Sequence, residues 1–88
     1  MSEKDWFLYL LKCSDGTIYC GVTTDVERRL YEHNNTKKGA RYTRTRRPVE
    51  FLKAWRCGSS RGEAQSKERK IKKLSRRQKI ALLKKENI

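Results

Sequence analysis

At 88 residues the chain is sized for one domain, residues 1–88, and a chain this short buries only about 60 to 65% of the surface its unfolded form exposes, which excludes a thick core. Hydrophobic residues are 35% and charged residues 38%, a polar balance that still leaves apolar runs and so argues for a folded domain over disorder. The formal net charge of +13 is uneven: residues 1–35 hold four Lys/Arg against six Asp/Glu, and residues 36–88 nineteen against four, a split that supplies a cationic surface suited to a polyanion.

The aromatic-rich run Trp6 to Leu11 and the run Thr17 to Val22, separated by Ser14-Asp15-Gly16, predict a β-hairpin. Thr24 followed three residues later by Glu27 predicts a capping box that opens a helix to about Asn34. Residues 35–47 read as a basic loop closed by Pro48, and Val49 to Cys57 as a third strand. Ser60 with Glu63 opens a second helix to about Leu74, and Ser75 with Gln78 a terminal one. The order is ββαβαα, an α+β arrangement.

Helical periodicity sets the faces. Val26, Leu30 and His33 share one stripe of the first helix, so at about 100° per residue Arg29 lies roughly 60° from Val26 and Arg28 roughly 160° away. Arg29 borders the interior, where its planar fork can meet a phosphate or snorkel past the core edge. In the second helix the apolar stripe of Ala64 and Ile71 contains Glu68. A carboxylate on the core side requires a cation, either a Lys/Arg partner or a metal ion; Glu63, about 100° off the stripe, is a cap.

Whether Tyr9 and Tyr19 share a face depends on the hairpin loop, because register parity decides the side. A two-residue Asp15-Gly16 loop separates them. A three-residue loop of Ser14, Asp15 and Gly16 pairs Tyr9 with Gly21 and Leu11 with Tyr19, putting both rings on one side, and Ser-Asp-Gly suits it because Gly takes the left-handed closing position freely.

Cys13, Cys20 and Cys57 form no Cys-x-x-Cys pair and, with His33, match no zinc spacing. No secretory segment is read at the N-terminus. Free thiols in the cytoplasm are the expectation. The basic stretches lack the apolar face that seats a helix in lipid, so a membrane partner is not expected.

Phe7-Leu8-Tyr9, then Tyr19-Cys20-Gly21, Arg29 ten residues after Tyr19, His33 four residues later, and a helix-borne Glu68 together resemble the GIY-YIG endonuclease superfamily, over about residues 6–75. The likeness is nearest to short stand-alone bacterial members. It implies a three-stranded antiparallel sheet flanked by helices with an active site on one face. The motif tyrosines fall on Tyr9 and Tyr19, the motif glycine on Gly21, the catalytic arginine on Arg29 and the metal-binding glutamate on Glu68, positions the face analysis also selects. Phe-Leu-Tyr replaces Gly-Ile-Tyr, Cys20 replaces isoleucine, and Val22 stands where some members carry a lysine that helps deprotonate a tyrosine.

The function so implied is a structure-selective DNA endonuclease, in repair or recombination, using one divalent ion held by Glu68, Mg2+ first and Mn2+ as the alternative. Arg29 clamps the phosphate, Tyr9 or Tyr19 handles the attacking water, and His33 transfers a proton, touches a phosphate, or is a satisfied histidine on an apolar stripe. Lys37, Lys38, Arg41, Arg44, Arg46 and Arg47 supply backbone phosphate contacts, with Tyr42 stacking on an exposed base or packing against the domain. Branched or distorted DNA is the preferred substrate, RNA is a further option, and no obligate protein partner is evident. The rival reading is a non-catalytic DNA- or RNA-binding protein that keeps the fold; a ribosome- or partner-associated basic protein is a weaker third.

Overall fold

The computed structural model describes residues 4–88; Met1, Ser2 and Glu3 of the expected 1–88 domain lie outside the described residues. Strand β1 (Trp6–Lys12) is followed by β2 (Ile18–Thr23), α1 (Val26–Asn35), the short α2 (Arg41–Arg44), β3 (Glu50–Gly58), α3 (Arg61–Lys72) and α4 (Arg76–Leu82). The sheet is antiparallel with strand order β2-β1-β3, so the first strand is central and the second is an edge.

The hairpin takes the three-residue loop. Cys13 N–H donates to Thr17 O at 2.8 Å and Gly16 N–H to Cys13 O at 2.9 Å, with Gly16 at φ 85. The Asp15 carboxylate accepts from the Thr17 N–H at 3.0 Å and hydroxyl at 2.6 Å. Tyr9 accordingly pairs with Gly21 and Leu11 with Tyr19, which places both tyrosines on one face.

Two expectations shift. Helix α1 is capped by Asp25, whose carboxylate accepts the Arg28 N–H at 3.1 Å, and not by Thr24; an Asp one residue later is the stronger cap, and Thr23 supports it by accepting the Asp25 N–H. The basic loop also contains a helical turn, α2, where the Ala40 carbonyl accepts the N–H groups of Thr43 and Arg44.

Each sheet face carries its own core. Leu8, Leu10, Ile18, Cys20, Trp55 and Cys57 pack with Ala64 of α3, joined by Ile71, Leu82, Leu83 and Ile88. The chain after α4 is tied to β3 by Trp55 Nε1–H donating to Lys85 O at 2.9 Å and Lys53 Nζ to Leu83 O at 3.1 Å. On the other face Tyr9, Leu11, Cys13 and Val49 pack with Leu30 of α1, Tyr19 and Ala54. The three cysteines are buried free thiols. Among the described residues, no helix is long and apolar enough to cross a membrane.

The end of α1 is fastened by side chains. Asn34 brackets Val49, donating to its carbonyl at 3.0 Å and accepting its N–H at 2.7 Å. The Arg47 guanidinium donates to His33 O at 2.6 Å and to Thr36 O, satisfying carbonyls that a helix C-terminus leaves open.

Candidate active site

Tyr9 is 2% exposed and its ring lies across Gly21, where an added Cβ would sit 2.6 Å from Tyr9 Cζ. Only glycine leaves room for the ring. Tyr9 Oη meets His33 Nε2 at 2.7 Å, and His33 is wholly buried. The other ring nitrogen, Nδ1, receives the Ala40 N–H at 3.2 Å and lies 2.9 Å from Thr43 Oγ1. The Ala40 N–H calls for an acceptor at Nδ1, whereas the Thr43 hydroxyl, which donates to Ala40 O at 2.8 Å, calls for a donor there, so the two contacts favour opposite tautomers of the neutral ring. The Tyr9–His33 bond runs from the imidazole to the phenol in one tautomer and from the phenol to the imidazole in the other.

Gly39 makes this lock possible. A Cβ there would lie 2.7 Å from Glu32 O and 2.8 Å from His33 Cα, so the chain could not approach α1 closely enough for Ala40 to reach the imidazole. Gly39, Ala40 and Thr43 were not singled out by the sequence; the only available signal was a glycine inside an otherwise polar basic loop.

Burial first, and the Arg29 charge second, push His33 down to about 4 from the ordinary 6.5. An unfolded chain thus binds a proton near pH 6.5 that the folded chain refuses, so the stabilisation is complete above that pH and declines as pH falls towards 4. Because the chain has one histidine, the expected loss is clean. It should amount to on the order of 3 kcal/mol between pH 7 and 4, read from urea midpoints. Asp15, held low by Thr17, and Glu32, held low by Arg29, titrate beneath the upper part of that window. His33→Gln should flatten the dependence between pH 6.5 and 4.5, and a wild-type midpoint that is flat there would contradict the assignment.

The Tyr9 and Tyr19 ring centres are 6.4 Å apart, and Tyr19 meets His33 edge-on at 5.2 Å. Burial raises both phenols above the ordinary tyrosine value. For Tyr9 the neighbouring Tyr19 adds to the rise and Arg29 opposes it; for Tyr19, Arg29 opposes and Glu68 adds. Both are protonated at neutral pH in the free protein.

Arg29 and Glu68 line one open cavity of about 350 Å³, together with Thr23, Glu32 and Gln65. Of the two adjacent arginines, the Arg28 side chain is 56% exposed and Arg29 26%, as the helix phase requires. Arg29 Nη1 donates to Glu32 Oε1 at 3.0 Å and to Lys38 O at 2.7 Å, and the guanidinium also faces the Tyr9 hydroxyl. The Glu68 side chain is 20% exposed and its partner is Lys72 Nζ at 3.6 Å, a loose i,i+4 pair.

The cluster does not occupy a single sheet face. The tyrosines sit on the α1 side, whereas Glu68 belongs to α3 on the opposite side. Arg29 of α1 and Glu68 of α3 line the same cavity beside Val22 and Thr23 of β2, an edge strand of six residues.

The basic segment divides by engagement. Arg46 donates to Asp15 at 2.9 Å and lies 3.9 Å over the Tyr42 ring, Arg47 caps α1 as described, and Tyr42 stacks on Tyr19 with centres 5.9 Å apart. Lys37, Lys38, Arg41 and Arg44 are exposed and join no ion pair among the described residues.

A helix-borne arginine and a carboxylate share one cavity at a sheet edge, and one of two strand-borne tyrosines lines the next cavity, on a three-stranded antiparallel sheet flanked by helices. The profile described as the GIY-YIG catalytic domain matches residues 5–81, and the chain belongs to that family, whose members are in general endonucleases acting on nucleic acid, typically with divalent metals. A UPF0213 protein of Desulfotalea psychrophila is 49% identical over 79 residues, covering 90% of this chain and 71% of the relative. One of Halobacterium salinarum is 52% identical over 75 residues, covering 85% and 95%. The solution NMR structure of a protein from E. faecalis superimposes with TM-score 0.62 at 45% identity, covering 94% of this chain and 86% of that one. That of the UPF0213 protein of Bacillus halodurans gives 0.54 at 43%, covering 90% and 82%.

Among the described residues no three His, Cys, Asp or Glu side chains gather to cage an ion, which rules against a structural site built from protein ligands there. Glu68, with Glu32 lining the same open cavity, offers the carboxylate oxygens that a hard divalent cation such as Mg2+ takes beside several waters and a phosphate.

Proposed function

We propose that this chain is a Mg2+-dependent endonuclease that hydrolyses DNA phosphodiester bonds at branched, flapped or otherwise distorted sites, as repair and recombination require. The observation that carries the reading is the shared cavity of Arg29 and Glu68, with Tyr19 in the electrostatic field of both. Nε and Nη2 of Arg29 form the side of the guanidinium that grips an oxyanion through two bonds, and they neutralise charge that builds on the phosphoryl oxygens. Glu68 would hold a divalent ion, whose Lewis acidity would supply charge stabilisation to a phosphoryl oxygen and the leaving oxygen. Tyr19, half-buried at the rim, orients the attacking water. Tyr9 takes the water's proton once its own phenolic proton has passed to solvent, and the phenolate so formed would lie against His33 and face the Arg29 cation. His33 steadies Tyr9 through their hydrogen bond, and its buried ring leaves no edge for a phosphate. Lys37, Lys38, Arg41 and Arg44 hold backbone phosphates without reading sequence. Work in the cytoplasm, as one domain without an obligate partner, is part of the same reading and is in keeping with the three free thiols.

A second reading has one observation in its favour: Glu68 already has a cation, Lys72, so the carboxylate is accounted for without a metal. A protein that binds DNA or RNA without cutting it would show this pair too. The two readings part when the full chain is incubated with linear, single-stranded, flapped and junction DNA in Mg2+, Mn2+ or chelator. Metal-dependent cleavage, fastest on the flap or junction, is expected. Cleavage that persists in chelator would sink the metal-dependent mechanism, and binding without cleavage of any substrate would favour the rival.

A further inference from the structure

The geometry points to a subsite for one unpaired nucleobase beside the candidate active site, in the cleft between α2 and α3. This deepens the nuclease reading by naming the feature of the substrate that the protein recognises. The cleft holds about 340 Å³ and is lined by Ile18, Tyr19, Cys20, Tyr42, Lys72 and Lys79, a size suited to a small ring-shaped ligand. Its floor is apolar, since Ile18 and Cys20 are buried members of the core. Two stacked phenols wall it, at 5.9 Å and 25°, and no carboxylate lines it. Apolar floor, aromatic wall and ammonium rim together match a nucleotide: a flat ring that stacks and a phosphate that pairs with lysine.

Three further features tie the cleft to the chemistry. Tyr42 is 39% exposed, yet its plane is fixed, because Arg46 lies 3.9 Å over the ring while anchored to Asp15 and to Tyr42 O at 2.9 Å each. An aromatic held rigid at the surface loses little entropy when it binds. Lys72 Nζ, 5.9 Å from the Tyr19 ring centre, also pairs with Glu68. Lys72 thus joins the two cavities, lining the cleft while pairing with Glu68 of the other, so a base seated here would lie beside the Arg29–Glu68 cavity. A regular duplex keeps its bases stacked inside and cannot fill the cleft; a single strand, a flap or a junction crossover can.

Binding of the full chain in chelator, where no cleavage occurs, tests this with three fluorescent probes: an oligothymidylate, an abasic oligonucleotide of equal length and a blunt duplex. Stacking of one base corresponds to about five- to 150-fold in affinity. The oligothymidylate should bind tighter than the abasic strand by a factor in that range. Tyr42→Ala should erase the difference without changing duplex or abasic affinity, and Tyr42→Phe, which keeps the ring, should preserve it. Lys79→Ala should weaken both single strands alike and reduce the salt slope by about 0.7. Equal wild-type affinity for thymidylate and abasic strands overturns the subsite, as does a Tyr42→Ala loss that is the same on all three probes. Base-dependent binding in a protein that cuts nothing would leave the subsite standing and remove the nuclease reading, whereas metal-dependent cutting without base dependence would do the reverse.

Discussion

Arg29→Ala is expected to slow DNA cleavage at saturating substrate by about 10²- to 10³-fold, the range for losing one preorganised donor to a transition-state oxyanion, while weakening DNA binding only a few-fold. Nη1 is already committed to Glu32 and the Lys38 carbonyl, so the guanidinium is held in place before substrate arrives, and the remaining N–H groups cost little to align. Charge alone should not substitute: Arg29→Lys keeps the cation but loses the planar fork and should recover little turnover. The fold should survive, because a partly exposed i,i+3 pair such as Arg29–Glu32 contributes no more than about 1 kcal/mol. Arg44→Ala should divide its effect the other way, weakening binding more at low salt and lowering the salt slope by about 0.9, with turnover at saturation reduced less than several-fold. Parallel losses of turnover and affinity in both variants would contradict the division.

What the sequence made legible was local periodicity. The phase of α1 separates Arg29 from Arg28 because both lie on one helix whose buried stripe is set by Leu30 and His33, and the phase of α3 turns Glu68 inward between Ala64 and Ile71. The three-residue loop followed from Ser14-Asp15-Gly16, with Gly16 in the left-handed closing position, and with it the shared face of Tyr9 and Tyr19. What stayed hidden depended on how distant segments approach. The α2 turn forms where Ala40 caps it through its carbonyl and reaches His33 through its N–H, and that approach rests on a missing Cβ at Gly39 and the buried Thr43 hydroxyl. No periodic pattern marks either residue. The placement of the cluster around an edge strand was also invisible, because pleat parity tells which face a side chain takes but not that β2 lies at the margin of the sheet. The same limit explains Tyr42, whose basic loop reads as unstructured until Arg46 and Asp15 fix it against Tyr19.

The role of Glu68 separates most sharply in a comparison with its partner. Glu68→Gln keeps the shape of the side chain and removes its charge; if the carboxylate serves to hold a divalent ion, cleavage should fall by more than about 10²-fold. The stabilisation of the free protein by added Mn2+ should be lost as well. That stabilisation follows RT ln(1 + [L]/Kd), so it reads ion binding without any turnover. Lys72→Met tests the structural role. An i,i+4 pair at 3.6 Å with the lysine 48% exposed is worth at most about 0.5 kcal/mol, so neither substitution should move the urea midpoint much. Lys72→Met should cost cleavage several-fold through weaker binding and should leave the Mn2+ stabilisation intact or stronger, since the competing ammonium is gone. Were the carboxylate instead a structural counter-charge, the two variants would behave alike, and Mn2+ would stabilise neither the parent protein nor Lys72→Met. The sign of the lysine effect on ion binding thus decides between the two roles that the sequence leaves open for a carboxylate on the inner side of a basic helix.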